Sequence, residues 1–331
     1  MTSKTAFVTG STGFVGMNLI DELTRQGWHV IAFHRPDSNL RFLQRFPVEH
    51  ALGDIVGPTS IFDRMPDDVD AVFHVAGSSN MWSRRNPEQT LVNVDGTRHV
   101  ARAALKRGAR KMVFCSSWVS YGVHPDRFDE SAAQLGGAVW VNHFRSKSLA
   151  EQELRAVIAE GLNASIINPS LILGPYDTKG WARFIQLVQI HRLPGIPPGI
   201  VNFCDAREVA KAHVAAASNG ICGQNYLLGG PDTSFLDLVQ TIGAITGQSV
   251  SKRATPYWVL RALGYAQARL STLTNKEPTL TPEVAYSVSR HMSCDYSRAE
   301  RELGYHATDL HTMVKASYDW LGAEGLLAGT G

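Results

Sequence analysis

Short apolar runs rich in β-branched residues recur through the first half of the chain. They are "TAFVTG" (5–10), "HVIAFHR" (29–35), "VEHALGD" (48–54), "AVFHVAG" (71–77), "KMVFCSS" (111–117) and "ASIINPS" (164–170). Several are nearly continuous in hydrophobicity, the pattern of strands covered on both faces. Between many of them the apolar positions repeat at helical spacing, as in "GFVGMNLIDELTRQG" and "VDGTRHVARAALKRG". The second of these ends in Lys106, Arg107 and Gly108, a basic last turn followed by a terminating glycine. Strand and helix alternating in this way predict an α/β fold with a doubly wound parallel sheet of the Rossmann kind.

After about residue 170 the rhythm breaks. "VNFCDAREVAKAHVAAA" and "NYLLGG" read as further α/β material, whereas residues from 251 onward read as helix and loop. The expected division is a nucleotide-binding domain of residues 1–170 plus about 200–230. A smaller, mainly helical substrate lobe, 171–199 plus 231–331, completes the chain. Within that lobe, "PYWVLRALGYAQARLSTL" (256–273) carries Val259, Ala262, Leu263, Ala266 and Leu270 on one helical stripe, with Arg261 opposite. The stripe is expected to pack on the lobe's own core. Tyr257, Trp258 and Tyr265, with Trp118, Trp140 and Trp181, are expected near the cleft, where they suit a small hydrophobic or aromatic substrate. The closing "GAEGLLAGTG" reads as a frayed tail.

A chain of 331 residues that is 44% hydrophobic has ample material for a core, and its net charge of +2 gives no reason to expect nucleic acid or an anionic membrane as the main partner. Cys115, Cys204, Cys222 and Cys294 form no C-x-x-C pair, so free thiols in a reducing cytoplasm are expected. The 12 histidines include no pair or cluster at ligand spacing, and no metal is expected. The chain runs straight from its first residues into a strand, with no secretory signal and no apolar run long enough to cross a bilayer. These features favour a cytoplasmic location.

"VTGSTGFVG" places Gly10, Gly13 and Gly16 between the first strand and the first helix, with Ser11, Thr12, Phe14 and Val15 completing the turn. The three glycines suit a tight turn, close approach to a diphosphate and close packing of helix on sheet. The helix N-terminus offers unpaired N–H groups to the phosphates. The second strand ends in His34 and Arg35, with Asp37 and Arg41 beyond. Arginine at this place suits a ribose 2′-phosphate, so NADP(H) is favoured, with NAD(H) the alternative through Asp37. Asp54 closes the third strand, placed to accept from the adenine amino group.

"GSTGFVG" (10–16), "GDI" (53–55), "FHVAG" (73–77), "NVDGTRHV" (93–100), "FCSSWVSYG" (114–122), "RSKSLAE" (145–151), "NPSLILGP" (168–175), "NFCDAREVAKAH" (202–213) and "RELGY" (301–305) together span nearly the whole chain. With this set the chain resembles the extended short-chain dehydrogenases/reductases of the epimerase/dehydratase superfamily, and more narrowly the dihydroflavonol-reductase and 3β-hydroxysteroid-dehydrogenase-like branch. The resemblance implies a nicotinamide site that also uses Ile55, Val75, Ala76, Gly77, Pro169 and Ser170. It also implies a serine, a Tyr-x-x-x-Lys pair and frequent pairing of two copies through two helices, hence a homodimer. Ser117 and Lys147 match the serine and the lysine, the lysine also holding the nicotinamide ribose. The tyrosine position holds His143.

Spacing i, i+4 puts His143 and Lys147 on one helical face. A neighbouring cation keeps an imidazole neutral, which suits it to draw a proton from an alcohol better than to donate one to a carbonyl. His143 then acts as a substitute acid–base group, or positions substrate while Tyr121 or a water handles the proton, or leaves the site impaired. The expected function is hydride transfer between NADP(H) and a hydrophobic ketone, aldehyde or secondary alcohol. One alternative is a nucleotide-sugar epimerase or dehydratase retaining NAD(H), for which Arg183, His191, Arg192 and Arg207 would face the sugar nucleotide. The other is an NADP(H)-binding protein with impaired catalysis.

Overall fold

The computed structural model describes residues 3–327. Its strands are β1 (Thr5–Thr9), β2 (His29–His34), β3 (Glu49–Leu52), β4 (Ala71–His74), β5 (Met112–Cys115), β6 (Ala164–Pro169), β7 (Leu171–Leu173), β8 (Ile200–Asp205), β9 (Asn225–Leu228) and β10 (Asp232–Ser234). Seven of them form one sheet in the order β3-β2-β1-β4-β5-β6-β9, every pairing parallel. All six strands expected from apolar runs are present in it. The strand order reverses between β1 and β4, which opens a crevice beyond their carboxyl ends.

Both faces of the sheet are covered, as continuous hydrophobicity requires. On one face Leu19, Ile20 and Leu23 of the helix Phe14–Arg25 join Val209 and Ala212 of the helix Ala206–Asn219. On the other, Phe7, Phe33 and Phe114 meet Val100 and Ala104 of the helix Gly96–Lys106 and Leu154 and Val157 of the helix Asn142–Ala159. The chain then builds a second, three-stranded sheet in the order β10-β8-β7, so β8 leaves the main sheet while the helix after it and β9 return to it. The helices Ala182–Gln189, Phe235–Thr246 and Leu310–Ala323 close a third core around Phe203, Phe235, Leu238 and Val314.

Three expectations need correction here. The apolar stripe on the helix Tyr257–Thr274 does not pack inward: Ala262, Leu263, Ala266 and Leu270 are exposed, and Leu260, Gly264 and Ser271 are the buried residues. Trp118 sits in the core and Trp181 packs against Phe184, Phe203 and Phe235, because a large flat ring gains most where all its surface leaves water. The tail is docked as far as Leu327, with the Glu324 carboxylate accepting from Arg45 Nη2 at 2.8 Å. Its last four residues lie outside the described ones.

The helix Asn142–Ala159 is tied to the sheet by a buried carboxylate. Glu151 is fully buried and accepts from Ser116 Oγ, Gln134 Nε2, Asn168 Nδ2 (2.7 Å) and Asn225 Nδ2 (2.9 Å). Ser116 follows β5, Gln134 lies in a loop, Asn168 is near the end of β6 and Asn225 begins β9. Replacing Glu151 with alanine leaves these donors without their acceptor, and is expected to lower stability by about 3 kcal/mol. Urea unfolding of wild type and Glu151→Ala measures this directly; equal midpoints would show that the network is dispensable.

Candidate active site

The glycine turn is dictated by sterics at two positions and left open at a third. Gly10 has φ +73°, and a Cβ there would lie 2.6 Å from Ala76 N. A Cβ on Gly16 would lie 2.1 Å from Gly10 O. At Gly13 the nearest atom to such a Cβ is Gly10 O at 3.2 Å, and the residue is exposed. The protein itself therefore forbids side chains at Gly10 and Gly16, whereas the room at Gly13 faces outward, as a ligand requires. Gly13 is also the N-cap and supplies no side-chain cap, so the first N–H groups of the helix remain available for an anion. Thr12, Phe14 and Val15 are half-buried around this turn. Ser11 serves the turn from within, its Oγ donating to Phe33 O at 3.0 Å. These residues fit a dinucleotide diphosphate.

Beyond β2, Arg35 is exposed and makes a loose 3.5 Å contact with Asp37. His34 Nδ1 lies 3.0 Å from Arg35 O, and its Nε2 lies 2.9 Å from His50 Nδ1. Arg41 does not join Arg35: it donates to Glu324 O at 2.9 Å, which holds it against the last helix. Asp54 is exposed and accepts from Val56 N at 3.0 Å. Ile55 is buried against Gly96, where a Cβ would come within 2.7 Å of its Cδ1.

The segment after β4 joins the glycine turn to the chemistry. Val75 N donates to Thr9 O at 3.3 Å, and Ala76 abuts Gly10. A Cβ on Gly77 would sit 3.4 Å from Lys147 Nζ and 3.3 Å from Asn93 Oδ1. Lys147 is buried, donates to Cys115 O at 3.0 Å and lies 5.5 Å from the centre of the Phe114 ring. Burial lowers its pKa, with Cys115 and Glu151 opposing. Ser117 follows β5, its Oγ donating to Pro169 O at 3.4 Å. Ser170, which follows Pro169, has a buried hydroxyl without a hydrogen-bond partner.

His143 is buried one helical turn before Lys147. Its pKa is pushed down to about 3, first by burial and second by Lys147, against a hydrogen bond to the Ser78 backbone. Helical spacing alone attributes this neutrality to Lys147; burial is the larger cause. Nδ1 has no partner and is buried. A neutral imidazole carries one N–H and one lone pair. Tyr121 does not join this set. It is fully buried, stacked on Phe128 at 5.4 Å, and burial together with Glu151 and Glu130 drives its pKa far up. The reading of Tyr121 as an alternative proton handler is corrected accordingly.

Asn93 carries no expected role, yet it organises this corner. Its Oδ1 accepts from Ser78 N at 2.7 Å, and its Nδ2 donates to Ser78 O and Ser146 Oγ at 2.9 and 3.0 Å. It sits in a π-helical turn, Leu91–Asp95, where an extra residue turns a side chain inward. Behind it, His74 bridges Thr9 Oγ1 (2.7 Å) and Thr97 Oγ1 (3.0 Å), with burial and then Lys147 lowering its pKa to about 3. An isolated asparagine gives little warning of such contacts. The nearest signal is its place at the head of "NVDGTRHV".

Residues 6–229 match the NAD dependent epimerase/dehydratase family. The chain belongs to this family. It is 28% identical to a putative dihydroflavonol 4-reductase of Synechocystis sp., covering 96% of this chain and 95% of that protein. It is also 28% identical to sterol demethylase protein B of Methylococcus capsulatus, over 98% and 100% of the two chains. Among solved structures, gox2253 superposes with a TM-score of 0.85 at 27% identity, covering 98% of this chain and 100% of that one. The protein is accordingly an enzyme, an oxidoreductase of the short-chain dehydrogenase/reductase type that uses a nicotinamide cofactor. Among the described residues no cluster suited to a metal occurs, and no helix is long and apolar enough to cross a membrane.

The neutral histidines give stability a definite pH dependence. His143 and His74 have folded pKa values of about 3, below the ordinary 6.5, so the unfolded chain binds more protons between those values. Stability is therefore full above about pH 6.5 and falls as pH drops toward 3, by about 1.4 kcal/mol per unit for each histidine. Urea unfolding at several pH values should show this slope, and His143→Gln should make it shallower by one histidine's share. An unchanged slope in the variant would mean that His143 is protonated in the native state.

Proposed function

We propose that the protein is an NADP(H)-dependent oxidoreductase acting on a hydrophobic secondary alcohol or the matching ketone or aldehyde. The observation that carries this reading is the unpartnered, buried Nδ1 of His143 beside Lys147, on the wall whose other end abuts the glycine turn. A bound nicotinamide supplies or takes up the hydride at its C4. The protein's own residues orient the substrate oxygen and manage its proton. Ser117 holds the oxygen by hydrogen bonding, and Lys147 holds the ribose and keeps the local charge positive. Nδ1 of His143 accepts the hydrogen bond of an alcohol hydroxyl and takes its proton during oxidation. The resulting imidazolium is buried beside an ammonium, so it passes that proton rapidly to water.

A lone pair complements a bound alcohol and offers nothing to a bound carbonyl. An enzyme cannot shift the overall equilibrium, but it can bind the two forms unequally. The alcohol is therefore expected to bind more tightly than its ketone, and the pH profile of kcat/KM should lack a break near the ordinary histidine value of 6.5. Arg35 supports NADP(H) through the 2′-phosphate, the NAD(H) alternative resting on Asp37. The epimerase reading draws less support: Arg207 is engaged by the buried Asp205, its Nε donating to Oδ1 at 2.9 Å, and Arg183 donates to Thr279 Oγ1.

The test is titration with NADPH and NADH, followed by turnover on a panel of secondary alcohols and ketones with wild type, His143→Phe and Arg35→Ala. Expected results are tighter NADPH than NADH, a preference that Arg35→Ala reduces about tenfold or more, and loss of about a hundredfold in kcat in His143→Phe with cofactor affinity retained. Turnover unaffected in His143→Phe would remove the histidine from the chemistry. Cofactor binding without turnover in wild type, restored in His143→Tyr, would favour the impaired reading.

A further inference from the structure

The helix Tyr257–Thr274 is attached to the protein by a narrow side and turns its apolar side outward. Leu260, Gly264 and Ser271 face inward, with Gly264 so close to Thr281 that a Cβ would lie 3.0 Å from its backbone. On the opposite side Trp258 is 72% exposed, Leu273 83%, Leu270 58% and Tyr265 49%. Apolar side chains exposed singly are ordinary, but these share one helical face. Across residues 251–276 the charged residues are Lys252, Arg253, Arg261, Arg269 and Lys276, with no aspartate or glutamate. None of these five forms a salt bridge among the described residues, and Lys252, Arg253, Arg261 and Arg269 are exposed. The near-neutral charge of the whole chain conceals this local excess.

We propose that this helix lies in the surface layer of an anionic phospholipid bilayer, docking the enzyme without crossing the membrane. Trp and Tyr suit the boundary between headgroup and acyl chain, leucines the acyl side, and unpaired basic side chains the lipid phosphates. Arg269 falls within the apolar face, where its long stem lets the guanidinium reach outward to a headgroup. A second copy fits less well: face-to-face pairing sets Arg261 and Arg269 near their own counterparts with no acidic partner in the segment. The end of the helix is fastened to the site's own wall. Asn275 Oδ1 accepts from Arg84 at 2.7 Å, Glu277 Oε1 accepts from Asn80 at 2.9 Å, and Thr281 Oγ1 donates to Met81 O at 2.7 Å. Those partners lie just after Gly77 and Ser78, so docking sets the mouth of the site at the lipid surface. The docking claim stands independently of the proposed reaction.

The experiment is co-sedimentation of the full chain with phosphatidylcholine vesicles and with vesicles of phosphatidylcholine and phosphatidylglycerol. Binding is expected to the anionic vesicles, to weaken in high salt, and to fall about fivefold for each of Arg253→Gln and Arg261→Gln. Leu270→Glu/Leu273→Glu should abolish binding while retaining the thermal midpoint and NADPH affinity, since both side chains are exposed. Wild type remaining in the supernatant with both vesicle types would overturn the proposal, as would full binding by the leucine variant. A wild-type dimer that the leucine variant makes monomeric, with no vesicle binding by either, would assign the face to a second copy instead.

Discussion

The carboxylate of Glu151 is the constraint on which the site depends. It is buried without a neighbouring cation in hydrogen-bonding contact and is satisfied by four neutral donors drawn from four places in the chain. A buried charge is stable only when its acceptor sites are filled, so the donors must stay where they are. This fixes the depth and rotation of the helix Asn142–Ala159 against β5, β6 and β9. Lys147 stands one turn before Glu151 on that helix and His143 one turn before Lys147. The same network reaches the serine: Asn168 Nδ2 also donates to Ser117 O at 3.1 Å. One buried network thus ties together the helix that carries His143 and Lys147 and the segment that carries Ser117.

The electrostatics follow from that placement. Lys147 brings a cation into the pocket, and both imidazoles near it, His143 and His74, are held neutral chiefly by burial. The Ser78 backbone opposes the lowering of the His143 pKa but is outweighed by burial and Lys147. Asn93, in a π-helical turn, holds Ser78 by both its N–H and its carbonyl. A tyrosine at the same position would bring its own proton to a bound carbonyl. A neutral histidine carries a lone pair as well as an N–H.

Outside the site the aromatic residues are distributed unevenly. Trp118 and Trp181 stabilise the interior, while Trp258 and Tyr265 stand on a helix that meets the rest of the protein along a thin seam. Trp140 packs edge-on against Tyr286 at 5.5 Å, and the Arg290 guanidinium lies 4.1 Å from the centre of the same Tyr286 ring. The apolar character read along the chain is real, but its destination differs from one residue to the next.

The chain's own order of apolar and polar positions determined the parallel sheet, the glycine turn and the pairing of His143 with Lys147. Each depends on neighbours within a few residues, through strand burial, backbone sterics or helical spacing. Only the lesser cause of the neutrality of His143 was legible, the cation one turn away; the larger, burial, was not. Tertiary structure alone decided what lies opposite. It buried Tyr121, drew Arg41 to Glu324, gave Glu151 its donors and Asn93 its grip on Ser78, and turned the stripe of Ala262, Leu263, Ala266 and Leu270 outward. Helical periodicity shows that a stripe exists but carries no information about which side meets the core. Burial and long-range hydrogen bonds depend on surfaces brought together from distant parts of the chain, and no local pattern encodes them.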